Sequence, residues 1–193
     1  DVISIEPVKT TCERLRKNIL LNNLNNVQIV PLGISSKRGY MKITNDKGSM
    51  NRVINDDRIK NYENIELTTL DALLKNRKNI SMIKIDVEGY EKQVLLGAQN
   101  TLKNKNLDVI IIELNDSNKY YDYDEEETIK ILERYGFKPY QFDYKNRKLI
   151  ELKKKNFQSY NTIFIKNLNN VKRKLGGEIV KLKGNYISIN YNI

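Results

Sequence analysis

Short apolar runs alternate along the chain with segments whose apolar residues recur at helical spacing. The runs are rich in β-branched residues, which is typical of buried strands. Four of them occupy residues 1–5, 27–30, 81–85 and 108–115. A helix capped by Thr10 or Thr11 follows the first run, and another is predicted from Glu88 to about Lys103. This alternation predicts an α/β fold with a mostly parallel sheet and helices on both faces.

Two of the apolar runs are expected to form the centre of the sheet. Residues 83–85 and 109–114 are apolar apart from Lys84 and Glu113, so both faces of these strands should be covered by helices. We therefore expect them to be neighbouring central strands. The first helix is expected to bury Leu15, Ile19 and Leu20, which share one face.

Further elements follow from turn signals and alternation. They are an antiparallel excursion at residues 37–55, a loop at 56–64, a helix at 70–74 capped by Thr68 or Thr69, a helix at 122–135 ended by Gly136, a hairpin of 137–144 with 147–152, and a last strand at 160–166. Beyond residue 166 the pattern weakens. A second hairpin is predicted from residues 179–182 and 186–191, after a hinge at Gly176 and Gly177. We divide the chain into a domain at 1–166 and a basic extension at 167–193.

Acidic side chains cluster where the run at residues 81–85 ends and a helix begins. They are Asp86, Glu88 and Glu91. In an open α/β sheet this edge binds ligands. The alternative is that these acids only complement the positive end of the helix, worth about 0.3–1 kcal/mol each.

A second acid ends the first apolar run. Glu6 is followed by Pro7, and an acid at this point of a nucleotide-binding sheet can accept hydrogen bonds from both ribose hydroxyls of an adenosine cofactor. The alternative is a strand-end carboxylate that only serves a turn.

A series of short motifs gives the chain a family resemblance. The motifs are Ile5-Glu6-Pro7, Leu20-Leu21-Asn22-Asn23, Val30-Pro31-Leu32-Gly33-Ile34-Ser35 with Gly39, Gly48-Ser49-Met50-Asn51-Arg52-Val53, Thr69-Leu70-Asp71, Lys84-Ile85-Asp86-Val87-Glu88-Gly89-Tyr90-Glu91, Leu95-Leu96-Gly97-Ala98, Ile112-Glu113-Leu114-Asn115, Tyr135-Gly136-Phe137 and Asn161-Thr162-Ile163-Phe164. In this order they resemble the FkbM-type family of S-adenosylmethionine-dependent methyltransferases, over roughly residues 1–166.

The resemblance implies a Rossmann-like methyltransferase sheet and S-adenosylmethionine as cofactor. Its cofactor-binding residues would be Glu6 and Pro7, Leu32 or Gly33 near the adenine, and Asp86. Family members begin with a strand and a Gly-rich turn, and this strand–turn–helix unit would lie before Asp1. We therefore expect the chain to be a fragment of a longer protein.

The same resemblance implies methylation of a hydroxyl of a small molecule or glycan. Asp86 is the candidate base, and Lys84, Glu88 and Glu113 would position or tune it. Acids held close together should raise one pKa towards neutrality. A divalent cation on Asp86, Glu113 and Asn115 is an alternative, but no metal is predicted.

Composition narrows these possibilities. The absence of histidine removes the usual general base and histidine metal sites, and the single cysteine, Cys12, excludes an internal disulfide. A mean hydropathy of −0.61 indicates a soluble protein. No apolar run approaches the ~18–20 residues that span a bilayer, and we expect a cytoplasmic location.

The net charge of +10 leaves other functions open. Residues 166–193 hold six basic side chains and one acidic one, so half of the excess charge lies in the tail. A ribose 2′-hydroxyl of RNA is an alternative acceptor that positive charge would suit. A catalytically inactive scaffold or assembly subunit is the alternative outside enzymes. The sequence does not indicate an oligomeric state.

Overall fold

The polypeptide forms two units in a computed structural model, which describes residues 1–54, 58–146, 148–175, 179–182 and 185–188. The first unit comprises Asp1–Asn76 and Val87–Thr101, and the second comprises Arg77–Asp86 and Leu102–Ile193. Both units contain β-sheets.

The first unit begins with two parallel strands joined by a helix. The strands are β1 (Val2–Ile5) and β2 (Val27–Val30), and the helix is α1 (Lys9–Leu21). The predicted cap is wrong, because the helix begins one residue before Thr10 and no side chain caps it. Cys12 is buried as a free thiol, whereas Leu20 is 74% exposed and does not belong to the buried face.

A second sheet of this unit contains the predicted antiparallel excursion. Its strands are β3 (Gly33–Ile34), β4 (Gly39–Thr44), β5 (Val53–Ile54) and β6 (Tyr62–Thr68), with a 3-10 helix at Gly48–Met50. Their order is β3-β6-β4-β5, and β4 runs antiparallel to both neighbours. The predicted loop at 56–64 is wrong from Tyr62 onwards, because strand β6 begins there; Asp56 and Asp57 lie outside the described residues. A core of Val8, Ile43, Ile65 and Leu67 supports this sheet.

Three short helices complete the description of this part of the chain: α2 (Leu70–Leu74), α3 (Glu91–Leu96) and α4 (Gln99–Lys103). Thr69 caps α2 as predicted, because its hydroxyl accepts a hydrogen bond of 3.1 Å from the Ala72 amide. The single helix predicted from Glu88 to Lys103 is wrong. It is divided at Gly97, where a Cβ would collide with the Ser35 carbonyl.

The second unit contains a five-stranded sheet. Its strands are β7 (Met82–Ile85), β8 (Val109–Glu113), β9 (Lys138–Asp143), β10 (Lys148–Glu151) and β11 (Asn161–Ile165), in the order β10-β9-β11-β8-β7. Strand β8 pairs in parallel with β7 and antiparallel with β11. The two predicted strands are neighbours, but only β8 is interior, since β7 ends this sheet.

The prediction of a mostly parallel sheet therefore needs correction. The α/β class is right, and parallel pairing is found for β1-β2, β3-β6 and β7-β8. The other described pairs are antiparallel. Strands β9 and β10, and likewise the strands Ile179–Leu182 and Asn185–Ser188, follow each other after short connections, and a short connection cannot join parallel neighbours.

Helices and a final hairpin complete the second unit: α5 (Glu125–Arg134), α6 (Leu168–Leu175), β12 (Ile179–Leu182) and β13 (Asn185–Ser188). Asp124 and Glu127 form a capping box at α5. The sequence did not predict α6, which buries Val171 against Tyr140 and Ile165. Strands β12 and β13 pair antiparallel.

Two further predictions concern the end of the chain. The predicted hinge at Gly176 and Gly177 lies outside the described residues, and the domain division after residue 166 stays a prediction. None of the helices in the described ranges has the length and apolar character that a membrane crossing requires.

Candidate functional site

The carboxyl ends of β7 and β8 bring two acids together. Ile85 lies opposite Ile112 in the parallel register, so Asp86 and Glu113, the next residues, are neighbours at one edge of the sheet. Their side chains are hydrogen-bonded to each other, and carboxylate oxygens of the pair lie within 4.8 Å. Asp86 is also paired with Lys84. The structure therefore groups three of the predicted catalytic residues.

The electrostatics of this pair differ from the prediction. Burial acts to raise the pKa of Asp86, but hydrogen bonds with Lys84 and Glu113, together with the positive charge of Lys84, hold the pKa of that carboxyl below its usual range. The predicted rise towards neutrality is thus wrong for Asp86.

A third strand adds a polar residue that the sequence did not indicate. Asn161 begins β11 and lies directly opposite Glu113. Its Oδ1 atom is buried and has no hydrogen-bond partner within the described part of the chain. Asp86, Glu113 and Asn161 therefore form a row across three adjacent strands. The sequence shows that Asn161 is a polar residue at the start of the last strand. It does not show that Asn161 lies opposite Glu113, because that depends on the register between β11 and β8.

The cation alternative loses one of its predicted ligands at the same edge. The Oδ1 atom of Asn115 accepts a hydrogen bond of 3.0 Å from the Ser117 amide, so it serves the turn after β8. Of the three predicted cation ligands, Asp86 and Glu113 remain. Ca²⁺ takes 6–8 oxygen ligands. The absence of a metal stays a prediction.

A tight turn follows Asp86 and belongs to the first unit. The Tyr90 amide donates to the Val87 carbonyl at 3.2 Å, and Glu88 and Gly89 have φ values of 51° and 95°. Positive φ at both central positions makes this a type I′ turn. Glu88, a predicted catalytic residue, is half-buried here.

The buried side chain of Glu91 stabilises this turn through hydrogen bonds to its backbone. This side chain has a relative exposure of 3%. Its Oε1 atom accepts hydrogen bonds from the Gly89 amide at 3.0 Å and the Val87 amide at 3.4 Å. The sequence grouped Glu91 with Asp86 and Glu88 but gave it no role in the site. Its function in the fold is to satisfy amides that the turn would otherwise bury.

The end of β1 carries the predicted ribose-binding acid. Glu6 is half-buried, and its Oε1 atom accepts a hydrogen bond of 2.8 Å from the Val8 amide. Burial raises the pKa of Glu6 above its ordinary value; the bond from Val8 opposes this, and the negative charge of Glu63 adds to it. The carboxyl group thus serves a turn and still has lone pairs for a ligand.

The other residues predicted to bind the cofactor differ in how deeply they are buried. Pro7 and Leu32 are half-buried. Gly33 is buried, and a Cβ there would lie 2.6 Å from a methyl of Leu67 and 2.9 Å from a methyl of Ile65. A Cβ at this position would therefore require the ends of the Leu67 and Ile65 side chains on β6 to shift, whether or not a cofactor is present. Their contact with adenine stays a prediction.

The second unit has another acidic region, a cavity of about 500 Å³ beside the start of α5. It is lined by Asp116, Asn118, Lys119, Asp122, Tyr123, Asp124, Glu125 and Glu127. Lys155 pairs with Asp116 at 3.3 Å and with the buried Glu125. The capping box uses Asp124 and Glu127. These four acids therefore stabilise the loop and the helix end.

The comparisons with known proteins agree with this architecture. The family model described as the methyltransferase FkbM domain matches residues 1–139. The crystal structure of methyltransferase FkbM from Methylobacillus flagellatus is similar, with a TM-score of 0.51 and 14% identity. The match covers 84% of this chain and 36% of that one, so the chain spans about a third of its length. A search of the curated proteins found no significant match.

The family follows from the match over residues 1–139. This chain belongs to the FkbM methyltransferase domain family, as its motifs predicted. The solved structure supports the fold, since an identity of 14% carries no information on substrate.

Proposed function

We propose that the chain transfers a methyl group from S-adenosylmethionine to a hydroxyl group of a small molecule or glycan. The observation that carries this proposal is the hydrogen-bonded pair of Asp86 and Glu113 at the carboxyl ends of two parallel strands. Family membership supports methyl transfer as the reaction class. The hydroxyl acceptor and the cofactor are our inferences from the resemblance and from this pair.

The surroundings of Glu6 fit the ribose of the cofactor. One carboxyl oxygen accepts from the Val8 amide, and a carboxylate has about four lone-pair sites, so acceptors are left for two hydroxyl groups. Its half-buried position would strengthen such bonds. The cofactor, when bound, supplies an electrophilic methyl group on a sulfonium centre.

Asp86 would accept the proton of the acceptor hydroxyl as the new bond forms. Lys84 donates to Asp86, and its positive charge favours the ionised carboxylate. A carboxylate with a lowered pKa is a weak base, so Asp86 would also serve by orienting the hydroxyl. Asn161, at the end of the same row, presents the third polar side chain.

The direct experiment is an assay of the whole chain with S-adenosylmethionine. Formation of S-adenosylhomocysteine would be measured with panels of sugar alcohols, oligosaccharides and small phenols, and products would be checked for one added methyl group. RNA oligonucleotides form a separate arm. Cofactor binding without turnover in any arm would favour the inactive scaffold over our proposal, and turnover with RNA alone would replace the acceptor class.

Two other properties stay predictions. A cytoplasmic location is inferred from composition, and neither the family nor the fold specifies a partner or an oligomeric state. Light scattering of the purified chain would measure the latter.

A further inference from the structure

The Val87–Tyr90 turn has an unusual residue in its first central position. Type I′ turns favour Gly, Asn and Asp where φ is positive. Glu88 occupies such a position with φ 51°. For a residue with a Cβ, the left-handed conformation costs roughly 1–2 kcal/mol. Strain of this kind persists only where the surrounding structure enforces it.

The side chains that hold Glu88 in the left-handed conformation belong to Tyr90 and Glu91, which follow it in the chain. Glu91 accepts the Gly89 and Val87 amides through one buried oxygen. The hydroxyl of Tyr90 lies 3.2 Å from the Ser35 hydroxyl and 3.1 Å from the Met41 sulfur, which ties the turn to β4. The backbone on both sides of Glu88 is therefore fixed by the side chains of Glu91 and Tyr90.

We propose that Glu91 is a positioning residue of the methyltransferase reaction. Its buried carboxylate holds the Val87–Tyr90 turn, and through the turn it fixes Glu88, which stands two residues after Asp86 in the chain. The inference rests on the proposed function. Glu91 would thus join the residues of the proposed reaction by acting through the turn, without touching the substrate.

Two substitutions separate the carboxylate's geometry from its charge. Glu91→Ala leaves two amides of the turn without their acceptor, and the turn should relax away from the strained conformation of Glu88. Glu91→Gln keeps an oxygen at the same distance along the side chain, and an amide oxygen can accept both hydrogen bonds. The Glu91→Gln variant should therefore keep the turn conformation that the Glu91→Ala variant loses.

Asp71 provides a matched control in the same unit. Its carboxylate also accepts backbone amides, from Asn100 at 2.9 Å and Thr101 at 2.7 Å. Asp71→Ala removes a comparable set of hydrogen bonds and should lower the melting temperature. It should leave the turnover of the folded protein within about twofold, since its carboxylate binds amides of α4.

The test measures turnover, cofactor affinity and amide exchange on the full chain at a temperature where every variant is folded. We expect Glu91→Ala to lower kcat about 10²-fold, as a displacement near 1 Å can do, with cofactor affinity within about threefold. Exchange at the Val87 and Gly89 amides should accelerate. Glu91→Gln should retain most of the turnover.

The outcomes are distinguishable. If the unsubstituted chain turns over no acceptor, the proposed function fails, and the positioning role fails with it. If it is active and Glu91→Ala is equally active, or if Asp71→Ala loses as much turnover as Glu91→Ala, Glu91 is a structural residue only. Accelerated exchange without loss of turnover leads to the same conclusion.

Discussion

Two acidic turns of this molecule use left-handed backbone in different ways. In the turn after Asp86, Glu88 has a φ of 51°, and in the loop after β8, Asp116 and Asp122 have φ values of 65° and 53°. Aspartate visits this region readily, because its short side chain can bond to nearby backbone. Glutamate lacks that advantage, so the first turn is the more strained of the two.

The acids of the two turns also differ in what they stabilise. Glu125 pairs with Lys155 and accepts the Asp116 amide, and Asp124 caps α5. Each of these groups has a structural purpose that the fold itself explains. Within the residues that the structure describes, Glu88 has none of these roles, although Glu91 keeps its backbone in place. Backbone strain at a residue with no structural role indicates function better than strain at a residue that stabilises the fold. By this criterion the turn at Glu88 differs from the loop after β8.

The largest expected effect tests whether the loop after β8 is only structural. Lys155→Met leaves the buried Glu125 without its cation, and breaking a buried pair in this way costs about 3–5 kcal/mol. The free energy of unfolding should fall by that amount in urea titrations, with kcat of the folded variant little changed. Lys138→Met, which breaks an exposed pair with Glu151, is the control and should cost under about 1 kcal/mol. A large loss of kcat in Lys155→Met would place the loop in the active site.

The next effect concerns Asp86. Asp86→Asn preserves the shape but removes the charge, and we expect kcat to fall about 10²-fold, the lower end of the range for general bases, because its pKa is already lowered. Cofactor affinity, measured by calorimetry, should change little. If cofactor binding collapsed while turnover per bound cofactor stayed normal, Asp86 would be a binding residue.

The pKa of Asp86 also fixes the sign of its pH dependence. A carboxyl whose folded pKa lies below the ordinary 3.8 contributes stability above pH 3.8, and that contribution is lost as the pH falls through the folded value. Asp86 therefore stays ionised across neutral pH. A turnover profile that falls between pH 7 and 5 in the unsubstituted chain, and not in Asp86→Asn, would contradict this direction.

A smaller effect is expected at Glu6. Glu6→Ala should weaken S-adenosylmethionine binding by about 1–3 kcal/mol, as for a lost charged hydrogen bond. Because the pKa of Glu6 is raised above 4.5, mainly by burial, its carboxylate becomes protonated at a pH above that value. Affinity should therefore decline on acidification in a window above pH 4.5, and Glu6→Ala should lack this decline. Equal affinities at neutral pH would leave Glu6 as a turn residue.

The sequence predicted what local chemistry determines. The run of β-branched residues in β8, the Thr69 cap and the acidic first turn of α5 each depend on a few neighbouring residues. Lys84 was predicted to position or tune Asp86, and the two side chains are paired, as residues two apart in an extended segment share a face. That pairing reverses the expected direction of the Asp86 pKa.

Features that depend on distant parts of the chain were not predictable. Gly97, where the predicted helix divides, lies against the backbone of Ser35, more than sixty residues earlier. Asn161 faces Glu113 because of an antiparallel register that no local pattern specifies. The end position of β7 in its sheet depends in the same way on pairing between other strands.

The smallest expected effect separates strain from function most directly. Glu88→Asn replaces a residue that resists positive φ with one that tolerates it, so it should raise the free energy of unfolding by about 0.5–1 kcal/mol through relief of the left-handed conformation. The same change shortens the side chain and removes its charge, and turnover should fall. Glu133→Asn, an exposed change within α5, is the control; it should give no such gain, because Asn is a poorer helix former than Glu. A Glu88→Asn variant that is more stable and fully active would show that the strained turn has no role in the reaction, and the contrast between the two acidic turns would then reduce to packing alone.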